Sequence, residues 1–309
     1  MTFKPAYLTL YEDGSLSARI DALYPLLNPC TVCARKCGVN RLNGEEGYCR
    51  AGIETVVSSV FAHFGEERPL VGIHGSGTIF LSNCNLRCQF CQNYDISHYE
   101  NGKSVDAEEL AGMMISLQSS GCHNINFVTP THYTPQIVAA LPLAIERGLN
   151  VPLVYNCGGY EAMETLQLLD GIFDIYMPDA KFGDERWAQK LCDAEDYFEV
   201  NKAALKEMFR QVGDLKMDTA GVATRGLLIR HLVMPNNVAG SVEIIDFIAA
   251  NLSKETYVNI MSQYRPCYRA HEFKEIARRP TPKELLEVVE YARSKGLYRG
   301  FGDSMQGFL

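Results

Sequence analysis

Long apolar runs and a leader segment are both missing from this chain of 309 residues. A membrane-spanning helix needs about 18 or more consecutive apolar residues, and no such stretch is present. The opening sequence MTFKPAYLTLYEDGS has neither an apolar core nor a small-residue cleavage site. We therefore expect a cytoplasmic chain that is neither secreted nor inserted in a membrane.

Positive charge is also scarce, since 29 Lys and Arg residues stand against 37 Asp and Glu, a formal net charge of -8. That balance disfavours binding to nucleic acid or to an anionic membrane through a broad, positively charged surface. The hydrophobic fraction of 47% and the charged fraction of 21% are those of an ordinary globular protein, so disorder is excluded as the main state.

Cysteine, in contrast, is abundant, with eleven residues. An odd number of cysteines in a chain without a leader does not suit a disulfide framework, because the cytosol keeps thiols reduced. Metal binding explains them better. Seven cysteines form two tight groups, Cys30, Cys33, Cys37 and Cys49 in the first and Cys84, Cys88 and Cys91 in the second.

The hydrophobic pattern divides the chain into two predicted domains. Residues 1–75 show no sustained period, which predicts a loop-rich amino-terminal metal-binding lobe. Over residues 76–309, short β-type runs alternate with segments of helix length, which predicts an α/β fold, a partial (β/α)6 barrel of parallel strands. Strands are predicted at residues 78–82, 124–128, 151–155, 172–177, 227–233 and 257–261. Helices are predicted between Asp106 and Gly121 and at residues 135–147, 161–169, 197–211, 241–251 and 282–295.

The first predicted barrel strand runs into SNCNLRCQFCQNYDIS, a C-x3-C-x2-C pattern. Zinc prefers four ligands, usually two pairs from separate segments, so three close thiols fit a 4Fe-4S cluster better and leave its fourth iron open to another ligand. Polar Asn85, Arg87 and Gln89 lie between the cysteines, which argues against a buried structural turn.

With that loop, the sequence resembles the radical S-adenosylmethionine (SAM) superfamily, in which an aromatic residue precedes the third cysteine, as Phe90 does here. The segments GSGTIFLSNCNLRCQFCQNYDISH, NINFVTPTHYTPQI and DIYMPDAK are similar to homologues of pyruvate formate-lyase activating enzyme that carry an extra amino-terminal cysteine group. The resemblance implies that SAM binds the open iron through its amino and carboxylate groups. Reductive cleavage then yields a 5′-deoxyadenosyl radical that abstracts hydrogen from a substrate.

The resemblance also implies residues that bind SAM. Many family members have Gly-Gly-Glu after the second strand, where this chain has TPTH, so Thr129 and His132 take the place of the missing carboxylate. Asn156 and Asp179 correspond to groups around the methionine moiety, and two arginines suit a carboxylate. The predicted cofactor-binding set is Phe90, Thr129, His132, Asn156, Asp179, Arg230 and Arg265.

The amino-terminal group, C-x2-C-x3-C-x11-C, supplies four thiolates, enough to close a second metal site completely. Four-cysteine zinc and a fully ligated 4Fe-4S cluster both satisfy this spacing. We favour a 4Fe-4S cluster, because a protein that assembles one such cluster works in an environment in which a second cluster is also stable. A full ligand shell suggests a role in structure or in electron transfer. We predict the structural role, with residues 30–49 held over the barrel mouth and the lobe acting as a lid.

The leading functional hypothesis is a radical SAM enzyme supplied by a one-electron donor such as flavodoxin or ferredoxin. Its substrate is predicted to be a glycine in a glycyl radical enzyme, which makes it an activase, or a small acid. The alternative is a non-catalytic iron-sulfur electron carrier or cluster scaffold, which the two cysteine groups alone would satisfy. The polar strand ends argue against that alternative, and the net charge of -8 argues against tRNA as the substrate. No catalytic residue beyond the cluster ligands is assigned.

Overall fold

A nine-stranded sheet organises residues 3–301, the part of the chain that the computed structural model describes. Its strands are β1 Thr55–His63, β2 Ser76–Leu81, β3 Lys103–Val105, β4 Ile125–Val128, β5 Leu153–Cys157, β6 Ile175–Pro178, β7 Lys216–Met217, β8 Ala223–Leu232 and β9 Tyr257–Met261. The α-helices are α1 Ala6–Glu12, α2 Ser15–Leu23, α3 Arg68–Val71, α4 Tyr94–Ser97, α5 Ala107–Ser119, α6 Thr134–Glu146, α7 Met163–Leu168, α8 Glu185–Cys192, α9 Tyr197–Val212, α10 Ser241–Asn251 and α11 Pro282–Ser294.

The strand order is β3-β1-β2-β4-β5-β6-β8-β7, and β9 pairs with β8 on a separate branch. Every pairing along β2-β4-β5-β6-β8-β9 is parallel. These six strands are the six predicted from sequence, with shifted ends. All residues of β5 are buried, as expected for a parallel strand covered on both faces. The α/β prediction is confirmed, and the mostly parallel sheet is compatible with a partial barrel.

The amino-terminal region is more regular than its sequence suggests. Strand β1 pairs antiparallel with β2, so the sheet crosses the predicted domain boundary at residue 75. Helices α1 and α2 bury Tyr7, Leu16 and Leu23 in the main core. The prediction of loops throughout residues 1–75 is therefore wrong for these segments, because their apolar side chains pack against the sheet and its helices.

A local sequence signal sets the start of α5, between β2 and β4. Asp106 accepts a hydrogen bond from the Glu109 N–H at 2.8 Å, and the Glu109 carboxylate accepts one from the Asp106 N–H at 3.2 Å. This capping box begins α5 at the predicted place. Helix α8 has no predicted counterpart, since it is only eight residues long.

Two apolar clusters hold the sheet and position its carboxyl ends. The main cluster lies between the sheet and the surrounding helices, with Ile79, Phe127 and Ile137 fully buried. A second cluster contains Phe90 and Phe182 and lies beneath the three-cysteine segment. Among residues 3–301, no helix combines the length and the apolar character needed to cross a bilayer.

Candidate functional site

A cavity of about 680 Å³ opens where the parallel strands end. In parallel barrels this is the end at which reacting groups gather. The three cysteines that follow β2 line the cavity, as do five of the seven residues predicted to bind a cofactor: Phe90, Thr129, Asn156, Asp179 and Arg230. The structure thus brings most of the predicted site residues into one chamber.

The cysteine loop, residues 84–91, follows β2 directly and depends on unusual backbone geometry. Asn83 and Arg87 have φ values of 71° and 48°, in the left-handed region that few side chains adopt. The loop is also fixed from outside, since the Gln89 N–H donates a hydrogen bond to the Leu191 carbonyl at 2.8 Å. These turns direct all three cysteines to the cavity.

Each cysteine sulfur of the loop has at least one hydrogen-bond donor, which lies within the loop, on α4 or at the end of α8. The donors are the Leu86 N–H to Cys84 at 3.4 Å, the Ser97 hydroxyl to Cys91 at 3.2 Å and the Cys192 thiol to Cys88 at 3.2 Å. The donors to Cys84 and Cys91 stabilise negative charge on these two sulfur atoms, whereas the hydrogen bond with Cys192 raises the pKa of the free Cys88 thiol well above its ordinary value.

Burial nevertheless opposes ionisation of the free thiols. It raises the pKa of Cys84 to about 12 and that of Cys91 to about 11. At neutral pH these thiols are therefore protonated unless a metal takes the place of the proton. The donor set, three thiols that share one cavity wall and each receive a hydrogen bond, fits metal-bound thiolates.

No group of three or more His, Cys, Asp or Glu side chains within residues 3–301 is arranged to hold a single metal ion. In an iron-sulfur cluster, each thiolate binds a different iron, so the sulfur atoms need not converge on one point. The spacing of this loop therefore suits a cluster better than a mononuclear ion.

A charged network faces the cysteine loop across the cavity. Arg230 in β8 donates to Asp179 at 2.9 Å and to Asn156 at 2.7 Å, and Lys181 donates to the other carboxylate oxygen of Asp179. Burial opposes the charge of Asp179, but Arg230 and Lys181 outweigh it and lower the pKa of this carboxyl. Asp179 is therefore ionised at neutral pH, with its backbone fixed by a hydrogen bond from Asn201 at 3.0 Å.

Two acidic residues outside the predicted set also line the cavity. Glu66 accepts hydrogen bonds from Asn126 at 2.9 Å and Asn156 at 3.3 Å, and Glu67 accepts one from Asn259 at 2.7 Å. An acidic run before a strand usually marks a solvated turn, which is why sequence alone does not identify them. The Glu67 bond joins the segment before β2 to β9, the first and last strands of the parallel series.

The remaining predicted residues divide into two groups. Thr129 lines the cavity with φ of 61°, a rare conformation for a β-branched residue, and its N–H donates to the Asn156 carbonyl at 2.8 Å. His132 is buried elsewhere, with Nε2 2.8 Å from the Ser82 carbonyl, and burial lowers its pKa to about 3. Arg265 is exposed. Neither His132 nor Arg265 is among the residues that line the cavity.

The four amino-terminal cysteines lie close to one another. Cys30, Cys33 and Cys49 are buried and Cys37 is exposed. Burial raises the pKa of each of the three buried thiols, and other thiols of the group raise it further. A Cβ atom at Gly47 would contact the Cys37 sulfur, so a larger residue there would require the Cys37 side chain to rotate. The group offers four thiols, the number that one tetrahedral ion or one cluster requires, although the described side chains are not arranged around a single ion.

This cysteine group lies beside the cavity mouth. Arg41 donates to the His132 carbonyl at 2.7 Å, and Thr165 donates to the Val32 carbonyl at 2.8 Å. None of residues 30–49 lines the cavity. The contacts of this segment reach the segments that follow β4 and β5 and, through Arg35, the Asn85 carbonyl of the cysteine loop. That the segment covers the mouth as a lid stays a prediction.

Comparisons with known proteins agree with this site. A model of the radical SAM superfamily matches residues 78–223, the region from β2 to the start of β8. An uncharacterized protein of Methanocaldococcus jannaschii is 34% identical over 298 residues, which cover 94% of this chain and 82% of the relative. A second uncharacterized protein of the same organism is 26% identical over 284 residues, which cover 84% of this chain and 76% of the relative.

Proposed function

The chain belongs to the radical SAM superfamily, and we propose that it abstracts hydrogen from a substrate bound in the cavity at the strand ends. The observation that supports this proposal is one chamber of about 680 Å³ that has the three-cysteine loop on one side and the Asn156, Asp179 and Arg230 network on the other. A chamber of this size is typical of small-molecule and cofactor sites.

Cys84, Cys88 and Cys91 would hold a 4Fe-4S cluster, and three thiolates leave one iron free for SAM. When bound, cluster and SAM together supply the one-electron cleavage that releases a hydrogen-abstracting radical. The protein's own contribution is to orient the ligands, to exclude water and to stabilise charge on the sulfur atoms. The hydrogen bonds from Leu86 and Ser97 serve the last of these tasks.

The residues that we propose for SAM are those of the predicted set that line the cavity. Asp179 and Asn156 offer acceptors for the ammonium and hydroxyl donors of SAM, while Thr129 adds a hydroxyl. Arg230 is already committed to Asp179 and Asn156, so we assign it to positioning those two side chains. Phe90 supplies an apolar wall, at 5.9 Å from Phe182 between ring centroids. His132 and Arg265 remain predicted contacts whose side chains would have to move to reach SAM.

The substrate is proposed to be either a glycine within a partner protein, as in a glycyl radical enzyme, or a small acid. A glycine would have to enter as an extended loop, whereas a small acid could be enclosed. A flavodoxin or ferredoxin is the proposed electron donor. The amino-terminal cysteines are proposed to hold a second metal site, iron-sulfur or zinc. The competing carrier hypothesis has no need for a polar chamber beside the thiols.

The decisive experiment reduces the anaerobically reconstituted protein in the presence of SAM and measures 5′-deoxyadenosine by chromatography. We expect slow release without substrate, and none when Cys84, Cys88 and Cys91 are all replaced by Ala. Absence of product with a competent reductant would favour the electron carrier. Deuterated candidates then separate the substrate classes, because the true substrate transfers deuterium to 5′-deoxyadenosine.

A further inference from the structure

Cys192 lies 101 positions beyond the last cysteine of the loop, yet its thiol reaches that loop. It is the last residue of α8, is 1% exposed and donates from its sulfur to the Cys88 sulfur at 3.2 Å. The neighbouring Leu191 carbonyl accepts the Gln89 N–H at 2.8 Å, so the end of α8 holds the loop by backbone and side chain together. Nothing in the proposed SAM chemistry requires a fourth thiol at this place.

The position of Cys192 is fixed in turn by the amino-terminal cysteine segment. Arg35, between Cys33 and Cys37, donates to the Cys192 carbonyl at 2.7 Å and to the Asn85 carbonyl at 2.9 Å. Its guanidinium also lies 3.9 Å from the centre of the Tyr48 ring, the residue before Cys49. A single side chain of the amino-terminal segment thus holds both the cysteine loop and the residue that hydrogen-bonds to it.

We propose that Cys192 sets the reduction potential of the cluster at Cys84, Cys88 and Cys91, and that Arg35 is the positioning residue that keeps its thiol on Cys88. This inference rests on the proposed function, because it needs a cluster at the loop. Reduction adds negative charge that spreads onto the thiolate ligands. With Cys88 bound to iron as a thiolate, only the Cys192 thiol of this pair can donate. A donor at the Cys88 sulfur stabilises the added charge and makes the potential less negative.

The test is an EPR-monitored redox titration of the full-length, iron-reconstituted protein without SAM. Cys192→Ala should have a more negative midpoint potential than the wild type. Cys192→Ser keeps a hydrogen-bond donor, so its midpoint potential should lie between those of Cys192→Ala and the wild type. Cys122→Ala is the matched control, since Cys122 is a buried thiol that contacts the His74 carbonyl instead, and it should leave the potential unchanged. Iron content and melting temperature are measured for every variant.

Arg35 is tested in the same titration by a double-mutant cycle. Arg35→Ala should also make the potential more negative, and combining it with Cys192→Ala should add little, because the two act through one hydrogen bond. Fully additive shifts would overturn the role of Arg35. An unchanged potential in Cys192→Ala, or failure of both Cys192 variants to assemble any cluster, would overturn the role of Cys192. If the wild type itself assembles no cluster, the proposed function fails first.

Discussion

Arg230 donates a hydrogen bond to Asp179 over 2.9 Å, and this pair joins the ends of β6 and β8 at the cavity wall. With Lys181 on its other oxygen, Asp179 is a buried carboxylate held between two cations. If that carboxylate is neutralised, Lys181 loses this ion pair, whereas Arg230 keeps Glu66 at 3.6 Å. The Arg230–Asp179 pair therefore holds two strand ends together and also sets the charge of the cavity wall.

Asp179→Asn should weaken SAM binding by roughly tenfold or more, because a charge-assisted hydrogen bond contributes about 1.5–3 kcal/mol. Iron content should be retained, since Asp179 contacts none of the cysteine sulfurs by hydrogen bond in the described structure. Equilibrium binding of SAM to the reconstituted protein measures the effect. Arg265→Ala is the comparison, because Arg265 is exposed and outside the cavity lining. If Arg265→Ala weakened SAM binding more than Asp179→Asn does, the assignment of Asp179 as the stronger SAM contact would be contradicted.

Replacing Cys84, Cys88 and Cys91 together by Ala should abolish the SAM-sensitive EPR signal of the reduced cluster. The reason is that three thiolates are the only protein ligands that the loop offers to the irons. Cys122→Ala controls for the loss of a buried thiol and should keep the signal. A signal that survives the triple replacement would show that the cluster binds elsewhere.

Metal analysis of the purified chain should find about eight irons if the amino-terminal group carries a second 4Fe-4S cluster, and about one zinc beside four irons if it does not. Cys33→Ser should lower the melting temperature and remove metal from that group only, because Cys33 is buried at its centre. Loss of all iron in Cys33→Ser would contradict the independence of the two sites.

Asp174 should make the protein less stable as the pH rises from about 4 to about 7. Burial raises its pKa from 3.8 to about 7, although hydrogen bonds from the Ala6 and Leu153 N–H groups oppose the rise. The folded state therefore binds this proton more tightly than the unfolded state, so stability is greatest below the unfolded pKa and is lost through the folded one.

Asp174→Asn is neutral throughout, and its melting temperature should depend less on pH across that interval. The loss of wild-type stability across that interval should be on the order of 4 kcal/mol, since the pKa rises by about three units and each unit equals about 1.4 kcal/mol. Asp21→Asn, at an exposed position of α2, should follow the wild-type curve. If the melting temperatures of Asp174→Asn and the wild type changed with pH in the same way, the assignment of this pH dependence to Asp174 would be refuted.

The sequence predicts the parts of this protein that local signals control. The six parallel strands follow from apolar β-type runs, and the capping box at Asp106 and Glu109 identifies the start of α5. The cavity-lining cysteines and Asp179 follow from motif spacing and strand ends. Strand β1 is not predicted because its sequence, TVVSSVFAH, does not alternate polar and apolar residues and lies in a region without a sustained period. Helix α8 is not predicted although its buried residues Ala188, Leu191 and Cys192 recur at helical spacing.

The contacts that complete the site lie far apart in sequence. Cys88 and Cys192 are 104 residues apart, and Glu67 and Asn259 are 192 apart. No local pattern encodes such pairs, because tertiary packing alone brings them together. The same is true of His132, whose position after β4 suggests the cavity although packing turns its ring to the Ser82 carbonyl.

The left-handed backbone at Asn83, Arg87 and Thr129 has a consequence for local unfolding. Each such residue costs about 1–3 kcal/mol, so the strand ends form at the expense of folding stability. Segments with low local stability open first, and their amide hydrogens exchange fastest. Binding of the cluster stabilises the closed conformation of the cysteine loop by mass action. Protection of its amide hydrogens from exchange should therefore rise when the cluster is loaded, while protection of the β5 amides changes little. We therefore expect the cysteine loop of the apoprotein to open before β5 does, which would expose its thiols to incoming iron.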